Sequence, residues 1–111
     1  MTYVVGIDGG GTKTEAAVAD VTGRILGAGA AGPSNHLSVG LEAAVGSVKE
    51  AVRAVTAAAG LSEVVCEVLC AGLAGVGRES DRMAMRPAIE RLGLSRKVLL
   101  DHDAAIALAG A

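Results

Sequence analysis

The stretch with the clearest chemical potential lies near the amino terminus, where an acidic residue precedes a run of glycines. Asp8 ends a short apolar segment and is followed by Gly9, Gly10, Gly11, Thr12, Lys13 and Thr14. Three consecutive glycines are costly to order, because glycine loses more conformational freedom on folding than other residues. Without Cβ atoms, their N–H groups can converge on an anion, and the hydroxyl and ammonium groups that follow add donors. The run therefore predicts a phosphate-binding loop.

Asp8 would repel a phosphate unless a divalent cation lay between them. Mg²⁺ binds carboxylate oxygen and keeps several of its waters, so Asp8 is predicted to anchor Mg²⁺ through water. The alternative is that Asp8 caps a turn and the glycines form an ordinary hairpin loop. The pattern matches neither the P-loop nor the dinucleotide fingerprint. Because a strand is predicted after it, the phosphate loop is expected to be a β-hairpin turn.

Two further segments place glycines or carboxylates directly after predicted strands. Residues 72–77 contain three glycines, and residues 101–103 read Asp-His-Asp. Ligand sites in open α/β sheets gather at the carboxyl ends of the parallel strands. We therefore expect both segments and the first glycine run to contribute to one site.

Hydrophobic periodicity predicts an α/β fold with five strands and three helices in the order βββαβαβα. The strands are predicted over residues 3–7, 14–20, 24–31, 63–71 and 97–100, and the helices over residues 41–59, 78–92 and 104–111. Ser80 is a candidate N-cap of the second helix, and Pro87 is expected to kink or split it. The last two strand–helix–strand crossovers predict a sheet that is partly parallel.

The composition indicates a core of aliphatic side chains and excludes several classes of partner. Of the 111 residues, 51% are hydrophobic, yet there is no Trp or Phe and only one Tyr. The net charge is −2 and the basic residues are scattered, which indicates neither a nucleic-acid surface nor a polybasic membrane patch. No apolar run approaches the length of a membrane span. We expect a soluble, cytoplasmic protein.

Cys66 and Cys70 fall in one predicted strand. Four strand residues separate two Cα atoms by roughly 13 Å, whereas a disulfide requires less than about 7 Å. The two cysteines are therefore interpreted as small buried hydrophobic residues.

Four motifs together resemble the ASKHA superfamily of phosphotransferases, and more narrowly the BadF/BadG/BcrA/BcrD family with its N-acetylglucosamine and glucosamine kinases. The motifs are GIDGGGTKT from residue 6, GPSNH from residue 32, AGLAGVGR from residue 71 and DHDAAIALAGA from residue 101. They follow the family's order and span the whole chain. The resemblance implies a ribonuclease H-like half of an actin-like ATPase fold.

The resemblance also implies a role for each polar segment. The loop from Gly9 to Thr14 would bind the β- and γ-phosphates of ATP, with Mg²⁺. Asp103 corresponds to the family's catalytic base, which accepts the proton of a sugar hydroxyl as that hydroxyl attacks the γ-phosphate. Sugar hydroxyls would be held by Asn35, His36 and Gly72. On the residues alone, Asp103 also suits a helix N-cap and Asn35 a structural turn.

The family's kinases have a second half with another phosphate loop and the adenosine pocket. Residues 1–111 are therefore expected to form one amino-terminal domain that lacks this half and is inactive alone. Three functions remain open: half of an amino-sugar kinase, a dehydratase-activator ATPase, and a non-catalytic nucleotide-binding module. The ligands implied are ATP and an amino sugar. A homodimer through the apolar residues 104–111 is a further expectation.

Overall fold

A computed structural model describes residues 3–61 and 66–101 of the chain. In these residues the strands are β1 (Tyr3–Gly9), β2 (Thr14–Asp20), β3 (Ile25–Ala31), β4 (Cys66–Leu73) and β5 (Ser95–Asp101). The helices are α1 (His36–Val39), α2 (Leu41–Ala58) and α3 (Glu79–Glu90). The predicted helix over residues 104–111 lies outside the described residues, as do the first residues of the predicted fourth strand.

The strands form one mixed sheet in the order β3-β2-β1-β4-β5. The first three strands are an antiparallel meander, and β4 and β5 continue the sheet parallel to β1. The predicted α/β class and mixed five-stranded sheet are therefore confirmed. Since β1 lies at the centre, its carboxyl end is flanked by the start of β2 and the end of β4. This arrangement places the glycine run and the loop after Leu73 side by side.

The core lies between one face of the sheet and the helices α2 and α3. Val5 and Ile7 of β1 and Leu69 and Leu73 of β4 are at most 1% exposed. They form a single cluster with buried residues of both helices, including Met85 and Ile89. Such runs of aliphatic residues are typical of strands that are covered by crossover helices.

Helix α2 buries a stripe that differs slightly from the predicted one. Val48, Val52 and Val55 are buried as expected, and Ala44 and Ala51 are buried beside them. Leu41, which was predicted on this stripe, is 40% exposed because it is the first residue of the helix. Small side chains therefore form much of the contact surface, and they allow the helix to approach the sheet closely.

Strand β3 completes this close approach because two glycines face α2. A Cβ atom at Gly29 would lie 2.8 Å from both the backbone nitrogen of Val55 and the Cβ of Ala54. A Cβ atom at Gly27 would lie 2.9 Å from the Val55 carbonyl oxygen. Backbone atoms cannot rotate away as a long side chain can. The glycines therefore set the distance between β3 and α2.

The prediction for the N-cap of α3 was wrong, and of the two alternatives for Pro87, a kink or a split, the split does not occur. Its N-cap is Arg78, which makes no side-chain capping bond, so Ser80 lies inside the helix and does not cap it. Pro87 does not split the helix, which runs without interruption to Glu90. Proline removes the N–H that would bond the carbonyl of Met83. Met83 is 69% exposed, so the affected turn of the helix borders solvent.

A short helix, α1, occupies the end of the segment that was predicted as a polar loop. It begins at His36, directly after Asn35, and ends before Gly40. Within the described residues, no helix is long and apolar enough to cross a membrane.

We expect Gly29→Ala to destabilise the fold by about 1–3 kcal/mol, the usual cost of overpacking a close contact. The matched control is Gly46→Ala in α2, where a new Cβ atom meets nothing within 4 Å. That change should raise stability by about 0.5–1 kcal/mol through helix propensity. Urea unfolding of the three proteins measures both effects. Equal stability of Gly29→Ala and the parent chain would contradict the proposed packing.

Candidate functional site

The glycine run forms the turn between β1 and β2. The N–H of Gly10 donates to the carbonyl of Lys13 at 2.9 Å, which closes a four-residue loop. Gly11, Thr12 and Lys13 are exposed, and within the described residues their N–H groups meet no acceptor. Together with the Thr12 hydroxyl, they present several outward donors on a short segment. Such a set can bind the oxygens of a phosphate.

The three glycines of the run differ in what surrounds them. A Cβ atom at Gly9 would overlap the Ser34 hydroxyl and would lie 2.6 Å from Cδ2 of Leu73. A Cβ atom at Gly11 meets nothing within 4 Å, and Gly10 has only the Lys13 carbonyl, at 3.9 Å. Neither Gly10 nor Gly11 is among the glycines with positive φ. The fold therefore requires glycine at Gly9, whereas Gly11 leaves open space beside the backbone.

Thr14 stabilises the loop through buried hydrogen bonds. Its hydroxyl is fully buried and lies 2.7 Å from the Gly32 carbonyl and 2.7 Å from the Ser34 hydroxyl. Because the carbonyl can only accept, the Thr14 proton goes to Gly32, and Ser34 supplies the proton of the second bond. Contact of Thr14 with phosphate stays a prediction, since its hydroxyl is already engaged in these two bonds.

Two backbone bonds tie the other polar segments to this loop. The N–H of Ser34 donates to the Gly10 carbonyl at 3.1 Å, and the N–H of Ala74 donates to the Gly9 carbonyl at 2.9 Å. The segment that ends in Asn35 and the loop that begins at Gly72 therefore both adjoin the glycine run. The expected position of the loop over residues 72–77 beside the first glycine run is confirmed by the Ala74 bond, while residues 102 and 103 of the third segment lie outside the described residues.

Asp8 is exposed and belongs to a cross-strand row. It pairs with Glu15 of β2 and with Gly72 of β4, and Gly72 pairs with Asp101 of β5. Paired residues on neighbouring strands project to the same face, so a glycine separates the two aspartates. With strands about 4.8 Å apart, the Cα atoms of Asp8 and Asp101 are separated by roughly 10 Å. The end of the row formed by Asp8 and Glu15 borders an open depression of about 550 Å³ over β1, β2 and β3.

This row fits a hydrated Mg²⁺ better than a fully protein-bound metal. In the part of the chain that the structure describes, no group of three or more His, Cys, Asp or Glu is placed to hold a metal ion. Mg²⁺ commonly binds one or two carboxylates and retains its other waters. The exposed Asp8 carboxylate, beside the missing side chain of Gly72, suits that mode.

Lys13 is engaged with Glu15 on the rim of the loop. Its Nζ lies 2.6 Å from a Glu15 carboxylate oxygen, and both side chains are more than half exposed. The hydrogen bond and the charge of Glu15 raise the pKa of Lys13, so Lys13 is cationic at neutral pH. An exposed pair of this kind contributes little to stability. A phosphate can therefore compete for Lys13 at small energetic cost.

Asn35 is the N-cap of α1. Its side-chain oxygen accepts from the N–H of Leu37 at 3.0 Å, as the structural-turn alternative predicted. That bond orients the amide, so the NH₂ group is the part of the side chain left to donate to a ligand. Capping and ligand binding are therefore compatible at this residue.

His36 contacts both the second glycine-rich loop, residues 72–77, and helix α3. Its Nε2 lies 3.0 Å from the Gly75 carbonyl oxygen and 3.2 Å from a carboxylate oxygen of Asp81. From the other side, Nη1 of Arg82 donates to the carbonyls of Val76 and Gly77, at 2.8 and 3.1 Å. These side chains hold the loop over residues 72–77 in place.

Sequence reasoning missed the architectural roles of Ser34, Asp81 and Arg82. Ser34 stands inside the GPSNH motif, but nothing in its spacing indicates burial. Asp81 and Arg82 belong to a helix whose charged residues look like a solvated face. Asp103 lies outside the described residues, so its predicted role is untested.

Both cysteines are chemically unreactive because they are buried in the fold. Cys66 and Cys70 are both buried and unpaired. Burial raises the pKa of Cys66 to about 11 and that of Cys70 in the same direction, so both thiols stay protonated at neutral pH. Their interpretation as small hydrophobic residues is confirmed.

We expect Thr14→Val to destabilise the fold by about 1–3 kcal/mol, because it leaves buried partners without a hydrogen bond. Thr14→Ser keeps the hydroxyl and should cost less. In a cycle with Ser34→Ala, the double variant should lose less than the two single losses combined, since the residues share a bond. Strict additivity in urea unfolding would contradict the network.

Comparison with known proteins identifies the relatives of the chain. A model of the BadF/BadG/BcrA/BcrD ATPase family matches residues 5–111. The N-acetylmuramic acid/N-acetylglucosamine kinase of Clostridium acetobutylicum is 36% identical over 110 residues, covering 99% of this chain and 36% of that protein. The N-acetyl-D-glucosamine kinase of Dictyostelium discoideum is 33% identical, covering 94% and 35% respectively. The chain thus spans about a third of the length of these relatives.

Solved structures show the same fold. A Chromobacterium violaceum protein, provisionally described as an N-acetylglucosamine kinase, has a TM-score of 0.72 at 25% identity and is matched over 91% of this chain and 35% of its own. A Streptomyces griseus ROK family glucokinase in complex with glucose and AMPPNP has a TM-score of 0.62 at 25% identity, over 88% and 32%. The predicted ribonuclease H-like half of an actin-like kinase fold is confirmed. From its first strand to its last residue, the chain belongs to the BadF/BadG/BcrA/BcrD ATPase family.

Proposed function

We propose that residues 1–111 form the amino-terminal domain of an ATP-dependent amino-sugar kinase, which transfers the γ-phosphate of ATP to a sugar hydroxyl. The two curated relatives are N-acetylglucosamine kinases by name. The observation that carries the proposal is the turn at Gly11. There, exposed N–H groups without an acceptor among the described residues lie beside a position where a Cβ atom would meet nothing within 4 Å.

The phosphate-binding group in this proposal is the turn from Gly9 to Lys13. A phosphate approaches the backbone at Gly11 because no Cβ atom stands in its way. The N–H groups of Gly11, Thr12 and Lys13 and the Thr12 hydroxyl then donate to its oxygens. The Lys13 ammonium adds positive charge once it leaves Glu15. Gly9 and Thr14 hold the turn in shape from beneath.

Asp8 would hold Mg²⁺ through water, beside Gly72. When bound, the ion neutralises charge on the phosphates, which is the main requirement of phosphoryl transfer apart from positioning. The chain's own contribution is the placement of the Asp8 carboxylate at the end of β1, next to the loop that binds the phosphates.

The sugar-binding segments adjoin the phosphate loop. Asn35 lies next to Ser34, whose N–H bonds Gly10, and Gly72 lies two residues before Ala74, whose N–H bonds Gly9. A sugar hydroxyl that accepts from the Asn35 NH₂ group therefore lies close to the bound phosphate. Holding the two reactants side by side substantially lowers the activation free energy of such reactions.

Asp103 is the proposed general base. It follows Asp101, the last residue of β5, by two positions, and Asp101 is in register with Gly72. In this role its carboxylate accepts the proton of the sugar hydroxyl as the oxygen attacks the γ-phosphate. The new bond forms between that oxygen and phosphorus, and ADP leaves.

The dehydratase-activator alternative is less well supported. Activators of that type use cysteine-ligated iron–sulfur clusters, and thiolates are the required ligands. Both cysteines of this chain are buried in the sheet, and burial raises their pKa values.

The first test of this proposal is Gly11→Ala. The new Cβ atom should obstruct the phosphate, and the affinity for Mg–ATP and Mg–tripolyphosphate should fall about tenfold, equivalent to about 1.4 kcal/mol. Stability should not change, because the site is open. Gly46→Ala is the control and should bind as the parent chain does. Calorimetric titration measures the affinities, and an unchanged affinity of Gly11→Ala would contradict the phosphate assignment.

The second test concerns the sugar. We expect N-acetylglucosamine to bind the chain. Asp103→Asn should weaken this binding about tenfold or more, because the charged acceptor for the hydroxyl is lost. Asp20→Asn, on the hairpin between β2 and β3, is the control carboxylate and should leave sugar affinity unchanged. No sugar binding at millimolar concentration, or equal binding by Asp103→Asn, would count against the kinase.

A further inference from the structure

His36 has a contact set that does not look like that of a sugar ligand. Its Nε2 faces the Gly75 carbonyl at 3.0 Å and the Asp81 carboxylate at 3.2 Å. The side chains of His36 and Asp81 are only 12% and 14% exposed. Both partners are acceptors, so Nε2 must carry a proton whether the ring is neutral or charged. The ring therefore donates into the second glycine loop.

Gly75 is where the two sugar-binding segments touch. Its φ of 88° lies in the left-handed region, which favours glycine. A Cβ atom there would overlap Oδ1 of Asn35 and would lie 3.5 Å from Cδ2 of His36. The same residue thus packs against the proposed sugar-binding amide and accepts the proton of His36.

Asn35 and His36 approach the loop over residues 72–77 from one side, and α3 supports it from the other. Asp81 is the second acceptor of His36, and the neighbouring Arg82 donates to the carbonyls of Val76 and Gly77. Three successive carbonyls of the loop are therefore bound by side chains from two different segments. The His36 ring at the start of α1 contacts both Asp81 of α3 and Gly75, so the distance between Asn35 and the loop depends on it.

We infer that His36 is a positioning residue: by donating from Nε2 to Gly75 and Asp81, it fixes the second glycine loop against Asn35, so that both segments meet one sugar. This inference rests on the proposed function for the identity of the ligand. The position of the loop is a property of the ligand-free chain. Among the described residues, the turn from Gly9 to Lys13 is bonded to this loop through the Ala74 N–H and the Gly9 carbonyl, and it is also held by bonds that His36 does not touch, those of Thr14, Ser34 and Gly10. Loss of the His36 contact should therefore affect sugar binding and spare phosphate binding.

Two conservative variants test the inference. In His36→Gln the amide nitrogen reaches the position of imidazole Nε2, whereas in His36→Asn it reaches only the position of Nδ1. NMR spectra of the ligand-free chain should show the His36 proton on Nε2. The Gly75 and Gly77 amide signals should stay near their parent positions in His36→Gln and should shift and exchange faster in His36→Asn.

Ligand titrations complete the test. The affinity for N-acetylglucosamine should stay within about twofold in His36→Gln and fall about tenfold in His36→Asn, a change of about 1.4 kcal/mol. The affinity for Mg–tripolyphosphate should not change in either variant. A protein weakened only in its general structure would lose both affinities together, and that result would overturn the inference.

Two other results would also overturn it. One is a neutral ring with its proton on Nδ1. The other is an equal loss of sugar affinity in both variants while the Gly75 signals keep their parent positions, which would make His36 a direct sugar ligand. If the parent chain binds no sugar but the loop signals respond as expected, the proposed function fails and the positioning of the loop by His36 stands.

Discussion

The arrangement of the site depends on the missing side chain at Gly9. This residue ends the central strand, and its backbone is enclosed by Ser34 on one side and Leu73 on the other. Its carbonyl accepts from Ala74, while the next carbonyl accepts from Ser34. Three segments that are distant in the sequence therefore close around one position. A Cβ atom at this point would force the side chains of Ser34 and Leu73 to shift.

Adjacent residues of the same turn have different environments. Gly9 and Thr14 face inward, where steric fit and buried hydrogen bonds determine their identity. Gly11, Thr12 and Lys13 face outward and are exposed. Such a turn suits the binding of a charged group. Its inward-facing residues hold it in shape, so the exposed donors would already be in place when a ligand arrives. The same division holds for Asn35, whose oxygen caps α1 while its NH₂ group can serve a ligand.

Much of the fold was predictable because local patterns and tertiary structure agree. The bounds of β2 were predicted to the residue, and those of α2 within one residue, since alternation and helical periodicity are properties of short windows. The ends of α3 were less predictable. Ser80 looks like a cap, yet the helix begins at Glu79, and Arg82 and Asp81 near its start contact the loop and His36. Capping preferences are small and are outweighed by such contacts.

The sequence by itself determined the class of the fold, the glycine turn after the first strand and the likeness to a kinase family, because glycine runs and strand periodicity have few physical solutions. Only the tertiary structure decided which residues of the motifs are exposed and which are buried in contacts between segments. Ser34 and His36 are ordinary polar residues in the sequence, and their roles arise from contacts with residues 20 and 39 positions distant. Such contacts depend on how whole elements pack, and no short stretch of sequence contains that information.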